Sequence, residues 1–228
     1  MSNTFRTAEQ AKVERILCMG ERLGTIYDAL WQQSTWVHAN WSEFVVVFGT
    51  TQSRVELLNK AAPSFFHWVQ DSLWENVLLH LARLTDPPAT GKKQNLTIQR
   101  LPGLVDHEET RAKVEELVGV ALSTTSFARD WRNRRIAHSD LDLSISDTAT
   151  ALEFASRQKV NEALQALANV LNAVSLHYLE STSFFDGPNG DGLALLYFID
   201  DGVAAERLRR ERLRQGESYQ NLYPPRNV

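Results

Sequence analysis

The chain has little of what several function classes need. It holds one cysteine, Cys18, in 228 residues, which excludes an intrachain disulfide and any zinc site built on cysteines. Cys18 falls inside a predicted helix and is expected to be a small core hydrophobe. No apolar run approaches the length that crosses a bilayer, and Met1 to Gln10 is polar, without the apolar centre of a secretion signal. The expected compartment is the cytoplasm, with no membrane partner. Surplus positive charge is also missing. The formal charge is −4, so there is no domain-wide basic footprint, and any nucleic-acid contact has to be local.

Catalytic patterns are equally scarce. His38, His67, His80, His107 and His177 show no paired metal-ligand spacing, and no serine or cysteine nucleophile arrangement is present. The loop from Asp186 to Gly192 places Pro188 and Gly190 where calcium ligands would stand and has no closing glutamate. Gly91-Lys92 lacks the upstream glycine of a phosphate loop. No cofactor and no metal is expected. The six tryptophans read as core or dimer-contact residues.

Helical periodicity is what the chain does have. Thr7 to Gln10 has capping-box form, and Val13, Ile16, Leu17, Leu23, Tyr27, Leu30, Trp31 and Val37 come after it at helical spacing, with a break expected near Gly20 or Gly24. Phe44 to Phe48 has strand-like composition, yet no comparable strand exists to pair with it, so it reads as a buried helical piece ending at Gly49. Pro63 opens a helix that carries Phe66, Val69, Leu73, Val77, Leu81 and Leu84 and stops before Asp86-Pro87-Pro88. Residues 89–94 read as a mobile polar loop and 95–101 as a short helix. Asp106 with Glu109 suggests another capping box, opening a helix that bends at 123–126 and resumes through Ala137. Residues 139–147 are turn-like, and Ser156 precedes a core helix marked by Val160, Leu164, Leu167, Leu171 and Val174. Beyond the breaker at 186–192, Leu193, Leu196, Ile199 and Val203 mark a further helix ending in five arginines between Arg207 and Arg214. The fold class is all-α: an antiparallel bundle of roughly five to seven helices over residues 1–182. Residues 183–228 form an appendage of breaker loop, accessory helix and polar tail.

The densest chemistry lies between Ala128 and Asp140. Four arginines, Asn133 and His138 gather where a predicted helix is about to end. Arginine supplies a permanently charged fork that matches phosphate oxygens, and histidine exchanges protons near neutrality. The opposing explanation for Arg129, Arg134 and Arg135 is a solvated basic face, with Asp130 and Arg134 at ion-pair spacing. On an ideal helix His138 stands about 120° around from Arg132. The two converge only if the helix unwinds near Ala137 or a second subunit supplies the complementary half.

Arg132-Asn133 with His138 downstream resembles the signature of the HEPN superfamily, in which an arginine and a polar residue precede a histidine by four to six intervening positions. Other pieces, in order, resemble its bacterial abortive-infection branch of the U type: Arg54 to Asn59, Leu73 to Leu79 with Ala82 to Pro87, Asn95 to Ile98, and Asp130 to His138. The resemblance implies a homodimeric, metal-independent endoribonuclease, an effector of a toxin or phage-defence system with RNA as substrate and an antitoxin or regulatory protein as partner. Arg132, Asn133 and His138 would be catalytic. Arg135, Arg129, Arg83 and Asp86 would bind substrate, Asp86 standing beside Arg83. The alternatives are a noncatalytic dimeric module that binds RNA, a nucleotide or a protein, and a helical interaction protein in which the motif is coincidence.

Overall fold

Capping and glycine chemistry set the first helices of the computed structural model, which describes residues 6–138, 140–146, 149–185 and 190–224. Thr7 accepts from the Gln10 amide at 3.2 Å, and the Gln10 side chain accepts from the Thr7 amide at 2.9 Å, opening α1 (Ala8–Met19). The break falls at Gly20, and α2 (Glu21–Phe44) comes next. Gly24 is required by packing: a Cβ there would lie 2.6 Å from the Ile16 backbone, so only glycine lets the two helices approach this closely. Cys18 is exposed, against the expectation of a core position, on the side of α1 where Leu17 also faces outward.

The strand-like run after α2 is helical, but wider than α: Val45–Gly49 forms a π-turn that buries Val46, Val47 and Phe48. Then come α3 (Gln52–Ala61) and α4 (Pro63–Leu84). Helix α5 (Glu108–Thr124) begins differently from the expected capping box. His107 is its cap, accepting from the Thr110 amide, because the Asp106 carboxylate is taken by the Tyr178 hydroxyl at 2.5 Å. That bond pulls the Asp106 carboxyl below its ordinary range. The bend at Thr125 separates α5 from α6 (Ser126–Trp131). The turn-like stretch after His138 contains a helix that its composition does not announce, α7 (Leu141–Ile145), capped by the Asp140 side chain. Helix α8 (Arg157–Leu179) starts at the Ser156 cap, α9 is Gly192–Arg214 and α10 is Tyr219–Leu222. Residues 186–189 of the breaker lie outside the described residues. Among the described residues the only strands are two dipeptides, so the all-α class holds. None of the helices there is long and apolar enough to cross a membrane.

The chain divides into two compact units, residues 1–41 with 74–187 and residues 42–73 with 188–228. In the first, α5 and α8 make the most extensive pairing. Its buried core takes Tyr27 and Leu30 from α2, Val77 and Leu81 from α4, and Leu167 and Leu171 from α8. In the second, α3 and the π-turn at 45–49 pack on α9, and Glu43 accepts from the Gly192 amide at 2.9 Å.

One buried ion pair fastens α1 to α2. Arg15 lies 2.5 Å from the Asp28 carboxylate, which also accepts from Gln32 at 2.7 Å, and the guanidinium covers the Trp31 ring. Removing one partner strands the other charge. Asp28→Ala is expected to lower the unfolding free energy by about 3 to 5 kcal/mol in urea titration, far more than loss of an exposed pair would.

Candidate functional site

Helix α4 ends because Pro87 and Pro88 cannot continue its hydrogen bonding. The segment beyond it is held at almost every carbonyl. Thr85 donates its hydroxyl to the Leu81 carbonyl at 2.8 Å, and Thr97 donates to that of Leu84 at 3.0 Å. Gln99 donates to the carbonyls of Thr85 at 2.9 Å and Asp86 at 3.1 Å, and Asn95 to that of Pro87 at 2.8 Å. Arg100 binds the carbonyls of Asn95 and Pro88. Residues 89–94 are therefore not a loose loop. Ala89–Thr90 (β1) pairs with Lys93–Gln94 (β2) around Gly91, whose φ of 58° is what the first loop position of a type II′ hairpin requires. The short helix expected at 95–101 is a single 3₁₀ turn, Ile98–Arg100.

This fixed loop presents Asp86 to α6 and the turn after it. Arg129 donates to the Thr85 carbonyl at 2.6 Å, a cation set against the C-terminal end of α4, where the helix dipole favours it. One turn further, Nη1 of Arg132 lies 2.6 and 2.5 Å from the two carboxylate oxygens of Asp86. Its Nε donates to Asn133 Oδ1 at 3.0 Å. The guanidinium is thus held on two edges, half-buried, while Nη2 has no partner among the described residues. Arg83 does not join this group. It is exposed and takes no hydrogen bond or ion pair there, so the partner of Asp86 is Arg132 rather than the neighbouring arginine.

The helix then widens. Arg132–Ile136 is a π-turn closed by Ala137 N donating to the Arg132 carbonyl at 2.8 Å, and Asp140 N reaches the Arg134 carbonyl at 3.0 Å. Such turns arise where side chains are re-aimed, often at functional sites. The helix is over before His138, so it does unwind near Ala137. His138 is exposed and takes no hydrogen bond or ion pair among the described residues. The structure therefore joins Arg132, Asn133 and Asp86, and leaves His138 outside that bonded group.

Arg134 and Arg135 each pair with a carboxylate, Arg134 with Asp130 as the spacing implied, and Arg135 stays exposed. Arg135 lies 3.1 Å from Glu75 and 5.6 Å over the Trp131 ring. Nothing in the sequence singles out Glu75, although Glu75 and Asp86 are about three helical turns apart and so face one side. Arg134 lies 3.7 Å from Asp130 and 3.6 Å from Asp140, and donates to the Thr150 carbonyl at 2.6 Å, tying down the segment beyond His138. On α4, His80 packs against Trp36 with the two rings tilted, and burial, with the charge of Arg83, holds its pKa below the ordinary value. His107 and His177, far apart in sequence, stack with ring centroids 4.5 Å apart, an encounter only the α5–α8 pairing creates. Among the described residues no three His, Cys, Asp or Glu side chains group as metal ligands would.

A family model of HEPN type, described as AbiU2, matches residues 20–193, well over half of the chain. No curated protein and no solved structure matches it.

The loop after α4 is the support for Asp86, and Asn95 is one of its main ties. Asn95→Ala is expected to cost about 1 to 2 kcal/mol and to speed amide exchange across residues 86–100 and in the π-turn, with α8 unaffected. Exchange mass spectrometry reads this directly; unchanged protection at 132–136 would separate the loop from the turn.

Proposed function

Since the chain belongs to the AbiU2 family of HEPN-type abortive-infection proteins, we propose that it is a metal-independent endoribonuclease, the effector of a toxin or phage-defence system. The observation that carries this reading is the Arg132 guanidinium. Asp86 and Asn133 hold it on two edges and leave its third nitrogen open, one π-turn ahead of an exposed histidine. A pre-oriented cation of this kind stabilises charge that develops on phosphoryl oxygens, with no reorganisation at the moment of reaction.

The reaction is an internal transesterification. His138 removes the proton of the ribose 2′-hydroxyl, the oxygen forms a bond to the adjacent phosphorus, and the bond from phosphorus to the 5′-oxygen breaks. A proton donor, supplied by the histidine of a second copy across a two-fold cleft, protonates the departing 5′-oxygen. The products are a 2′,3′-cyclic phosphate and a 5′-hydroxyl. Arg132 faces the phosphoryl oxygens through Nη2. Asn133 acts by orienting Arg132, and Asp86 by holding it from the other side. Arg135 stays near the cleft as a second cation, while Arg129 serves the end of α4.

A second reading has its own observation. His138 has no hydrogen bond to fix its ring among the described residues, and the charge of Arg132 is already met by Asp86, which suits a dimeric module that binds RNA without cutting it.

Incubation of RNA with the protein and excess chelator, with end-group analysis of the products, tests both. Cleavage leaving cyclic phosphate ends is expected, falling about 10²- to 10⁴-fold in His138→Ala. A fall of about 10²- to 10³-fold is expected in Arg132→Lys, which keeps the charge and loses the fork. Binding without cleavage in the wild type would favour the module, and cleavage unchanged in His138→Ala would remove the enzyme reading.

A further inference from the structure

Helices α3 and α9 pack together and leave between them a groove of about 770 Å³, large enough to take several side chains. All of its lining belongs to the unit of residues 42–73 and 188–228. Its composition changes along its length. On α9, Ile199, Val203, Arg207, Arg210 and Arg214 recur at helical spacing, so one stripe runs from apolar to basic, with Ala61 and Lys60 of α3 facing it.

The cations differ in how far they are committed. Glu206 is taken by Arg210 at 2.9 Å, by Arg209 and by the Tyr223 hydroxyl. Glu211 stands 4.0 Å from Arg207, at the edge of an ion pair. Lys60 and Arg214 take no hydrogen bond or ion pair among the described residues. The basic end of the groove therefore offers at least two uncommitted positive charges.

Gly202, in the lining, gives an independent sign. It sits inside a long helix, where glycine is less favourable than alanine. A Cβ there would meet nothing within 4 Å, so no contact within the chain asks for glycine. Its φ is not in the left-handed region, so backbone geometry does not ask for it either. What it does provide is a place where another backbone can come close.

We propose that this groove docks an acidic, amphipathic helical segment of a partner protein. Its apolar side chains would lie on Ile199, Val203 and Ala61, its backbone would approach over Gly202, and its carboxylates would meet Lys60, Arg207 and Arg214. Nucleic acid fits less well, because its phosphates would leave the apolar half of the groove, Ile199, Val203 and Ala61, unused. The proposal does not depend on the nuclease reading.

The test is fluorescence anisotropy of the full-length chain with two labelled peptides of about 18 residues, long enough to hold a helix. Both carry leucine at every third or fourth position, and one bears glutamate where the other bears lysine. Saturable binding of the glutamate peptide is expected, about tenfold tighter than that of the lysine peptide and weakening with salt. It should fall about tenfold or more in Gly202→Trp and in Lys60→Glu with Arg214→Glu, both surface changes that leave the far-ultraviolet spectrum unchanged. Equal binding of the two peptides, or affinity untouched by Gly202→Trp, would overturn the proposal. So would RNA binding lost in these variants while the glutamate peptide fails to bind.

Discussion

The site depends on how one helix ends. Helix α4 stops at two prolines, and its last carbonyls and the carboxylate just beyond them are met by arginines from the next helical stretch: Arg129 at Thr85 and Arg132 at Asp86. These two residues lie one turn apart on α6 and the π-turn, so a single helical face reads the end of α4 as a pair of acceptors. The dipole makes that end negative, and Asp86 adds a full charge to it. Everything else at the site is arranged around this contact. Asn95, Thr97, Gln99 and Arg100 keep the loop from moving, and Arg134 and Trp131 hold the chain that returns past the histidine.

Helix positions are legible in the sequence wherever a local device marks them: Thr7 with Gln10, Pro63, the prolines after Asp86, Ser156. Core residues on α4 and α8 emerge from spacing alone. Expectations fail where a distant group has prior use of a local one. Asp106 does not cap α5 because Tyr178, brought in by α8, takes its carboxylate. Residues 89–94 look mobile by composition, yet Asn95 and Arg100 reach back and fasten the hairpin. At the site, the motif residues Arg132 and Asn133 are visible, and Asp86 is visible as a candidate with the wrong partner. Arg83 is nearer in sequence, but it stays exposed, and no one-dimensional pattern shows which arginine the carboxylate meets. Glu75 stays hidden because a carboxylate on a polar helix face gives no signal until Arg135 stands opposite it.

Charge is used sparingly and in pairs. With a net charge of −4, the chain has no broad positive field, and the arginines around α6 are each set against a carboxylate or a helix end. Pairing of this kind fixes direction at the cost of reach. It makes the Arg132 side chain a positioned donor rather than a diffuse attractor.

The π-turn at Arg132–Ile136 carries a further consequence for how such a motif varies. A bulge of this type accommodates one surplus residue within a single coil, leaving the flanking segments where they were. The interval between guanidinium and imidazole can therefore lengthen or shorten by a residue without dismantling the scaffold on either side.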